Sequence, residues 1–185
     1  MMVPEAGAGP RVLARKVCLL GDFAVGKTSL VDRLVHNRFE AKYVSTIGVR
    51  VSQKSVAVPQ ASELVMVNLM LWDLAGSEEF DRVRQSYLRG AAGGLLVCDL
   101  TRAETLERLA FHAAQARQAP TCGPLVILAN KADLAEERAV SPEQVAQAAQ
   151  ALDAPWFLTS AKTADGVVAA FRELARRLVP APGGA

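Results

Sequence analysis

Apolar runs of strand length alternate along this chain with amphipathic stretches of helical length. Such alternation predicts a mostly parallel sheet, because parallel neighbours need a crossover, usually a helix, that covers the sheet. One pair of strands differs, since residues 47–58 and 63–73 are separated by only four residues and should form an antiparallel hairpin. The predicted fold is therefore α/β, with a six-stranded, mostly parallel sheet and helices on both faces.

Local signals set the predicted boundaries. Thr101 and Glu104 have the spacing of a capping box, and so do Ser141 and Gln144, where Pro142 takes the first helical position. The chain should form one domain over residues 13–179, with Pro/Gly/Ala-rich tails, 1–12 and 180–185, that we expect to be disordered. The other predicted strands cover 15–20, 94–100, 124–130 and 155–160, and the first and last helices cover 27–36 and 165–179.

Composition narrows the functional classes. Twenty-one Lys and Arg residues against nineteen Asp and Glu leave a net charge of +2, which gives no general attraction to nucleic acid or to a membrane surface. The three cysteines are scattered and indicate reduced packing residues. No apolar run approaches the roughly 18 residues of a membrane span.

From the residues at the two ends of the sequence we expect neither a lipid anchor nor an export signal. Residues 179–185 contain no cysteine to prenylate, Met2 excludes myristoylation, and residues 1–10 lack the features of a signal peptide. We therefore expect a cytoplasmic protein without a direct lipid anchor, which reaches membranes only through partners.

The strongest motif is Gly-Asp-Phe-Ala-Val-Gly-Lys-Thr at 21–28, directly after the first strand and at the start of a helix. It fits the phosphate-binding P-loop, in which glycines let backbone N–H groups converge on phosphate oxygens at a helix N-terminus. Lys27 should reach the β and γ phosphates, and the Thr28 hydroxyl should ligate Mg²⁺. The alternative is a chance glycine turn, which the flanking strand and helix disfavour.

A second element, Trp-Asp-Leu-Ala-Gly at 72–76, follows a strongly apolar strand. Asp73 is placed to hold Mg²⁺ through water, and Gly76 can offer its N–H to a γ-phosphate. On its own, an Asp-x-x-Gly sequence at a strand end is usually a turn. Because a P-loop precedes it in the chain, the binding role is favoured here.

Two further elements, Asn-Lys-Ala-Asp at 130–133 and Ser-Ala-Lys at 160–162, also follow strands. Ligands bind at the carboxyl ends of strands in such sheets. Asp133 can accept from N1–H and the amine of guanine, whereas adenine has no donor at N1 and would leave the carboxylate unpaired. Lys131 would pack its stem on the base, Asn130 would link neighbouring loops, and the Ala161 N–H would meet the guanine oxygen. Alone, 130–133 could equally be a helix-capping loop.

In order and spacing these segments resemble the Ras superfamily of small GTPases, and the Rab branch in particular, from about residue 15 to 179. The resemblance implies a P-loop NTPase fold (a G domain) with strand order 2-3-1-4-5-6 and an antiparallel second strand, binding GTP or GDP with Mg²⁺. The segments that carry it are 21–30, 43–49, 72–76, 86–101, 130–133 and 160–162.

The resemblance also implies roles in the first switch loop. Thr46 would ligate Mg²⁺ and sense the γ-phosphate, Phe39 would pack against the base, and Tyr43 would close over the phosphates. From the residues alone, Phe39 would be a helix-end staple and Tyr43 an exposed loop aromatic. The expected catalytic residues are Lys27, Thr46, Gly76 and Ser77, and the expected metal ligands are Thr28, Thr46 and Asp73. The expected nucleotide-binding residues are Gly21, Asp22, Phe23, Ala24, Val25, Gly26, Lys27, Thr28, Ser29, Phe39, Tyr43, Thr46, Gly76, Asn130, Lys131, Asp133, Ser160, Ala161 and Lys162.

Two residues depart from the family pattern at the catalytic position. Ser77 stands where the family usually has a glutamine that orients the attacking water, and Phe23 stands where it usually has a small P-loop residue. The shorter serine and the bulky benzyl group predict slow hydrolysis. An equally open interpretation is that they mark a branch with its own activating partner, and Glu78 or Gln85 could position water instead.

The function these features predict is a GTP-dependent switch with GTPase activity. Switch loops at about 37–47 and 74–90 would bind effectors, a GTPase-activating protein (GAP) and an exchange factor. The alternative is a non-hydrolysing GTP-binding scaffold, while a small-metabolite kinase is disfavoured. Arg82, Arg84 and Arg89 are read first as a solvated helix face, and second as a docking surface for an acidic effector.

Overall fold

The computed structural model describes residues 11–40, 48–60, 63–75 and 81–181, with only the backbone for 81–84. The predicted roles of Tyr43, Thr46, Gly76, Ser77 and Glu78 fall outside the described residues. The first strand begins at Arg11, two residues before the predicted start of the domain.

Six strands form one sheet in the order β2-β3-β1-β4-β5-β6. β2 pairs antiparallel with β3, and the remaining pairs are parallel, so the predicted fold class and strand order are confirmed. The elements in chain order are β1 Arg11–Leu20, α1 Lys27–His36, β2 Val49–Pro59, β3 Leu64–Leu74, α2 Asp81–Leu88, β4 Gly93–Asp99, α3 Ala103–Glu107, α4 Leu109–Arg117, β5 Leu125–Asn130, a 3₁₀ turn Ala135–Glu137, α5 Pro142–Ala151, β6 Trp156–Leu158 and α6 Val167–Leu178.

The core lies on both faces of the sheet. In β1, Val17 and Leu19 belong to the cluster under α1 and α6, whereas Cys18 and Leu20 belong to the cluster under α4 and α5. This division follows from the strand period of two, which sends alternate side chains to opposite faces. Every residue of β4 and β5 is buried, as expected for central strands covered on both sides.

The two predicted capping boxes have different outcomes. Ser141 and Gln144 form the predicted box at the start of α5. The box at Thr101 is wrong, because α3 begins at Ala103 without a side-chain cap. The Thr101 hydroxyl instead donates to Asp99 Oδ1 at 2.7 Å, because a hydrogen bond to a charged, buried carboxylate is stronger than one that the hydroxyl oxygen would accept from a neutral backbone N–H.

The three cysteines are free, with Cys18 and Cys98 buried. Burial raises the pKa of both of these thiols to about 12, so they are uncharged packing residues at neutral pH. Within the described residues, no helix combines the length and the apolar character that crossing a membrane requires.

Candidate nucleotide-binding site

The carboxyl ends of β1, β3, β4, β5 and β6 meet at one edge of the sheet. Parallel pairing dictates this, because all five strands run in one direction and their following loops emerge together. The P-loop, Asp73, Asn130, Asp133 and Ser160 therefore lie at the same edge. The described part of the predicted site is assembled by topology.

The P-loop depends on glycine at two positions. Gly21 has a φ of 152°, and a Cβ there would lie 2.3 Å from the Val97 carbonyl oxygen. Gly26, at a φ of 101°, would place a Cβ 2.3 Å from the Asn130 side-chain nitrogen. An L side chain meets both strain and overlap at these sites. The motif glycines thus let the loop pack against β4 and β5.

Lys27 lies at the start of α1 and is almost fully buried, with 6% of its surface exposed. Its Nζ donates to the carbonyl oxygens of Gly21 at 2.8 Å and Asp22 at 2.9 Å. The loop therefore curls around the ammonium group. This arrangement puts a positive charge inside the loop, next to the electropositive N-terminus of α1.

The candidate metal ligands described by the structure contact each other. The Thr28 hydroxyl donates to Asp73 Oδ2, and Asp73 is 1% exposed. Burial raises the pKa of the Asp73 carboxyl, although the Thr28 hydrogen bond and the charge of Lys27 oppose the shift. Asp73 Oδ1 is buried without a hydrogen-bond partner among the described residues. The Thr28 hydroxyl oxygen and a buried carboxylate with one unpaired oxygen are suitable ligands for Mg²⁺.

Asn130, at the end of β5, connects the two halves of the site. Its Nδ2 donates to the Val25 carbonyl oxygen at 2.9 Å, in the P-loop. Its Oδ1 accepts from the Thr159 hydroxyl at 3.4 Å and from the Ala161 N–H at 3.3 Å. One buried amide thus holds the P-loop and the loop after β6 together, in the linking role expected of it. The Ala161 N–H, expected to face the guanine oxygen, donates to Asn130 in this structure.

Asp133 is oriented by the loop after β6. The Ser160 hydroxyl donates to Asp133 Oδ1 at 2.6 Å, and Ser160 itself accepts from the Thr163 N–H at 3.1 Å. Ser160 is buried and Asp133 is half-buried. The serine hydroxyl therefore fixes the carboxylate at the protein surface, where it can accept hydrogen bonds from a ligand.

Asp99, at the end of β4, is a buried residue that the sequence analysis did not include in the site. It accepts from Lys131 Nζ at 2.6 Å, from the Thr101 N–H and hydroxyl, and from Arg102 Nε at 3.1 Å. Burial alone would raise the pKa of the Asp99 carboxyl, but the bonds from Lys131 and Thr101 hold it below its ordinary value. Arg102 also donates to the Phe23 carbonyl oxygen at 2.7 Å. The sequence signal that could have identified Asp99 was its position at the end of an apolar strand.

A second unpredicted group lies behind the P-loop. His112 on α4 is 1% exposed, and its Nε2 lies 2.7 Å from Asp22 Oδ1. Arg108 Nε lies 2.9 Å from the same oxygen. The structure thus gives His112 a contact with the P-loop. Nothing in the local sequence signals a pair separated by ninety residues.

The remaining predicted residues are more peripheral. Phe23 and Phe39 are exposed, by 46% and 38% respectively. Within the P-loop Val25 is buried, and Ala24 and Ser29 are half-buried. Gln85, considered as an alternative water-positioning residue, donates instead to Gln118 on α4's C-terminal side at 2.7 Å. The side chains of Arg82 and Arg84 lie outside the described residues, and Arg89 is exposed.

The sequence of this chain is similar to known proteins over most of its length. The Ras family model matches residues 16–180. The Ypt/Rab-type GTPase YPT7 of Saccharomyces cerevisiae is 39% identical over 168 residues, covering 87% of this chain and 79% of the relative. Ras-related protein Rab-9A of Homo sapiens is 36% identical over 170 residues, covering 89% and 82%. Ras-related protein Rab-13 of Canis lupus familiaris is 35% identical over 170 residues, covering 91% and 82%.

The family match spans most of the chain and includes every described motif at this sheet edge. The relatives also extend over nearly the whole domain, so the similarity is not confined to the P-loop. The chain therefore belongs to the Ras family, as a Rab-like small GTPase that acts as a GTP-binding switch.

Proposed function

We propose that this chain binds GTP or GDP together with Mg²⁺ at the described sheet edge, and that it hydrolyses GTP slowly. The observation that carries the proposal is the Asn130 side chain, which bonds both the P-loop and the loop after β6. Because one buried amide joins them, the phosphate-binding and guanine-binding elements form a single site. A free base would engage only part of it.

Different residues of the chain would bind the phosphates, the base and the metal ion. Lys27 and the P-loop N–H groups would bind the β and γ phosphates, while Asp133 would accept from N1–H and the 2-amine of guanine. Lys131, tied to Asp99 at 2.6 Å, would pack its stem on the base. Thr28 and Asp73 would hold the metal ion, with Thr46 as a third ligand by family resemblance. Bound Mg²⁺ supplies neutralisation of negative charge on the phosphate oxygens.

Slow hydrolysis follows from the two departures at the catalytic position. Ser77 is two side-chain atoms shorter than the glutamine usual in the family, so it would not span the attacking water and the γ-phosphate. Phe23 carries an exposed ring on the P-loop, where it would crowd an incoming arginine. Stabilisation of the transition state by such an arginine is worth about 10³ to 10⁵ in rate. The expected result is a long-lived GTP-bound state.

The test has two parts. Nucleotide that co-purifies with the chain is identified by chromatography, and only GTP or GDP agrees with the proposal. Single-turnover hydrolysis of bound GTP is then followed for the natural chain and for Ser77→Gln. We expect the variant to be faster by about tenfold or more, since positioned groups of this kind contribute 10²- to 10⁴-fold. Equal rates, or fast hydrolysis by the natural chain, would contradict the slow-turnover proposal.

A non-hydrolysing GTP-binding scaffold is the second candidate, and the exposed Phe23 ring on the P-loop favours it. The same assay separates the two candidates. A scaffold retains GTP unchanged over many hours in both the natural chain and the Ser77→Gln variant. A slow GTPase converts it to GDP in one measurable phase.

Partners would read the nucleotide state through loops 37–47 and 74–90. Effectors, a GAP and an exchange factor are the expected classes, and association with membranes would pass through them. Charge reversal at Arg82 and Arg84, followed by a pull-down on GTP-loaded chain, tests whether that helix face contributes to binding an acidic effector.

A further inference from the structure

Arg33 lies in the middle of α1, outside every motif of the sequence analysis. Its Nε donates to the Ala161 carbonyl oxygen at 2.7 Å, and its Nη2 donates to the Lys162 carbonyl oxygen at 2.7 Å. Two neighbouring carbonyl groups of the loop after β6 are thus held by one planar guanidinium. Only arginine presents two donors in a fixed fork, whereas lysine offers a single charged centre.

The same guanidinium also reaches the end of its own helix. Arg33 Nη1 donates to the carbonyl oxygen and to the side-chain oxygen of Asn37, both at 3.2 Å. Asn37 ends α1 in the left-handed conformation, with a φ of 51°. Phe39, the predicted contact of the base, follows two residues later. Arg33 therefore connects both chain segments predicted to flank the guanine ring.

A short relay leads from Arg33 to the guanine-reading carboxylate. The Lys162 carbonyl and the Thr163 N–H belong to one planar peptide group, so holding the carbonyl fixes the direction of the N–H. That N–H donates to the Ser160 hydroxyl at 3.1 Å, and the hydroxyl donates to Asp133 Oδ1 at 2.6 Å. The orientation of the Asp133 carboxylate thus depends on the peptide that Arg33 holds.

We propose that Arg33 is a positioning residue for guanine selectivity, acting through Lys162, Ser160 and Asp133. The proposal rests on the proposed function, because it assumes that Asp133 reads guanine. Arg33 would not touch the nucleotide. It would hold the loop so that both hydrogen bonds from the base to Asp133 form with good geometry.

The test compares GDP with IDP, the inosine analogue that lacks the exocyclic 2-amine. The natural chain should prefer GDP, because IDP offers Asp133 only one of its two donors. In Arg33→Gln we expect GDP to dissociate about tenfold faster and the preference for GDP over IDP to fall about threefold, since a misdirected carboxylate loses the directional part of its bonds. Arg33→Lys should show the same changes, because a single ammonium cannot hold both carbonyls. Fluorescent nucleotide displacement measures both quantities.

The matched control is Arg172→Gln, which removes an exposed arginine on α6 that faces away from the core. It should leave both the dissociation rate and the GDP-to-IDP ratio unchanged. A purely structural role for Arg33 would accelerate GDP and IDP release by the same factor, and an unchanged ratio in both Arg33 variants would overturn the inference. If the natural chain itself shows no preference for GDP over ADP, the proposed function fails instead. Arg33→Lys keeps the charge and the aliphatic stem, so the test stands even if Arg33→Gln does not fold.

Discussion

The guanine end and the phosphate end of the site are held in different ways. At the guanine end, side chains from distant elements hold the loop after β6, with Asn130 contributing from β5 and Arg33 from α1. At the phosphate end, Lys27 bonds carbonyl oxygens only five and six residues away, in its own loop. The first region is held by long-range contacts, whereas the second owes its shape mainly to its own backbone, to which Asn130, Arg102 and His112 add long-range contacts.

This difference predicts different consequences of mutation. A change at the guanine end should alter the choice between bases, because it moves groups that read the edge of the ring. A change at the phosphate end should weaken all nucleotides alike, because every nucleotide carries the same phosphates. The ratio of affinities for two nucleotides distinguishes these two consequences, whereas a single affinity does not.

Asp133→Asn should have the largest effect. The asparagine amide replaces one acceptor with a donor, which opposes the 2-amine of guanine but matches the 2-oxo group of xanthine. We expect GDP affinity to fall by about 10² to 10⁴ and the preference to reverse toward XDP, as expected when a buried polar site meets the wrong partner. Nucleotide displacement titrations measure both affinities.

The contrasting variant is Lys27→Met at the phosphate end. It should weaken GDP and XDP by the same factor and leave their ratio unchanged. If Asp133→Asn weakened both nucleotides equally, the division between the two ends would be wrong. If Lys27→Met changed the ratio, the phosphate loop would contribute to base choice.

The phosphate end was largely predictable from sequence because its determinants are local. The glycines, Lys27 and Thr28 lie within eight residues, and α1 occupies the predicted range of 27–36. The antiparallel pairing of β2 with β3 was predicted from the four-residue gap between the two strands, where a short segment contains the information. The strand order was predicted from the family resemblance.

The long-range supports of the site could not be predicted in the same way. Arg33 is 128 residues from Ala161 at the guanine end, and His112 is 90 residues from Asp22 at the phosphate end. A sequence pattern does not show which helix face contacts which loop, so nothing in the sequence marks Arg33 or His112 as part of the site. The capping box at Thr101 was wrong for a related reason, since its hydroxyl donates to the buried Asp99 instead of accepting from a backbone N–H at the helix start.

Asp99→Asn tests a residue that supports both ends, through Lys131 on one side and Arg102 with Phe23 on the other. Removing the buried charge weakens its bonds with two cations, and we expect a loss of about 1–3 kcal/mol in the free energy of unfolding. That corresponds to a melting temperature lower by several degrees in a chain of this size. GDP affinity should also fall. The GDP-to-IDP ratio should change no more than it does in Arg33→Gln.

The Asp99 effect should depend on pH. Because the folded-state pKa is below the ordinary value, the charge stabilises the fold above about pH 4, the usual range for an unfolded Asp. This stability is lost as the pH falls through the lower folded pKa. Melting curves of the natural chain and of Asp99→Asn should therefore converge at acidic pH. A difference that stayed constant from pH 7 down to pH 3 would show that charge is not its cause.

His112→Phe, a change behind the P-loop at the phosphate end, should have the smallest effect. The ring volume is kept, but the contact of Nε2 with Asp22 Oδ1 is lost, while Arg108 still holds the same carboxylate. Since one of two supports remains, we expect GDP and IDP affinities to fall together by about threefold, which corresponds to one modest hydrogen bond. Displacement titrations with both nucleotides give the two values. An altered GDP-to-IDP ratio would mean that the support behind the P-loop also reaches the base, and the two ends could no longer be treated as separable.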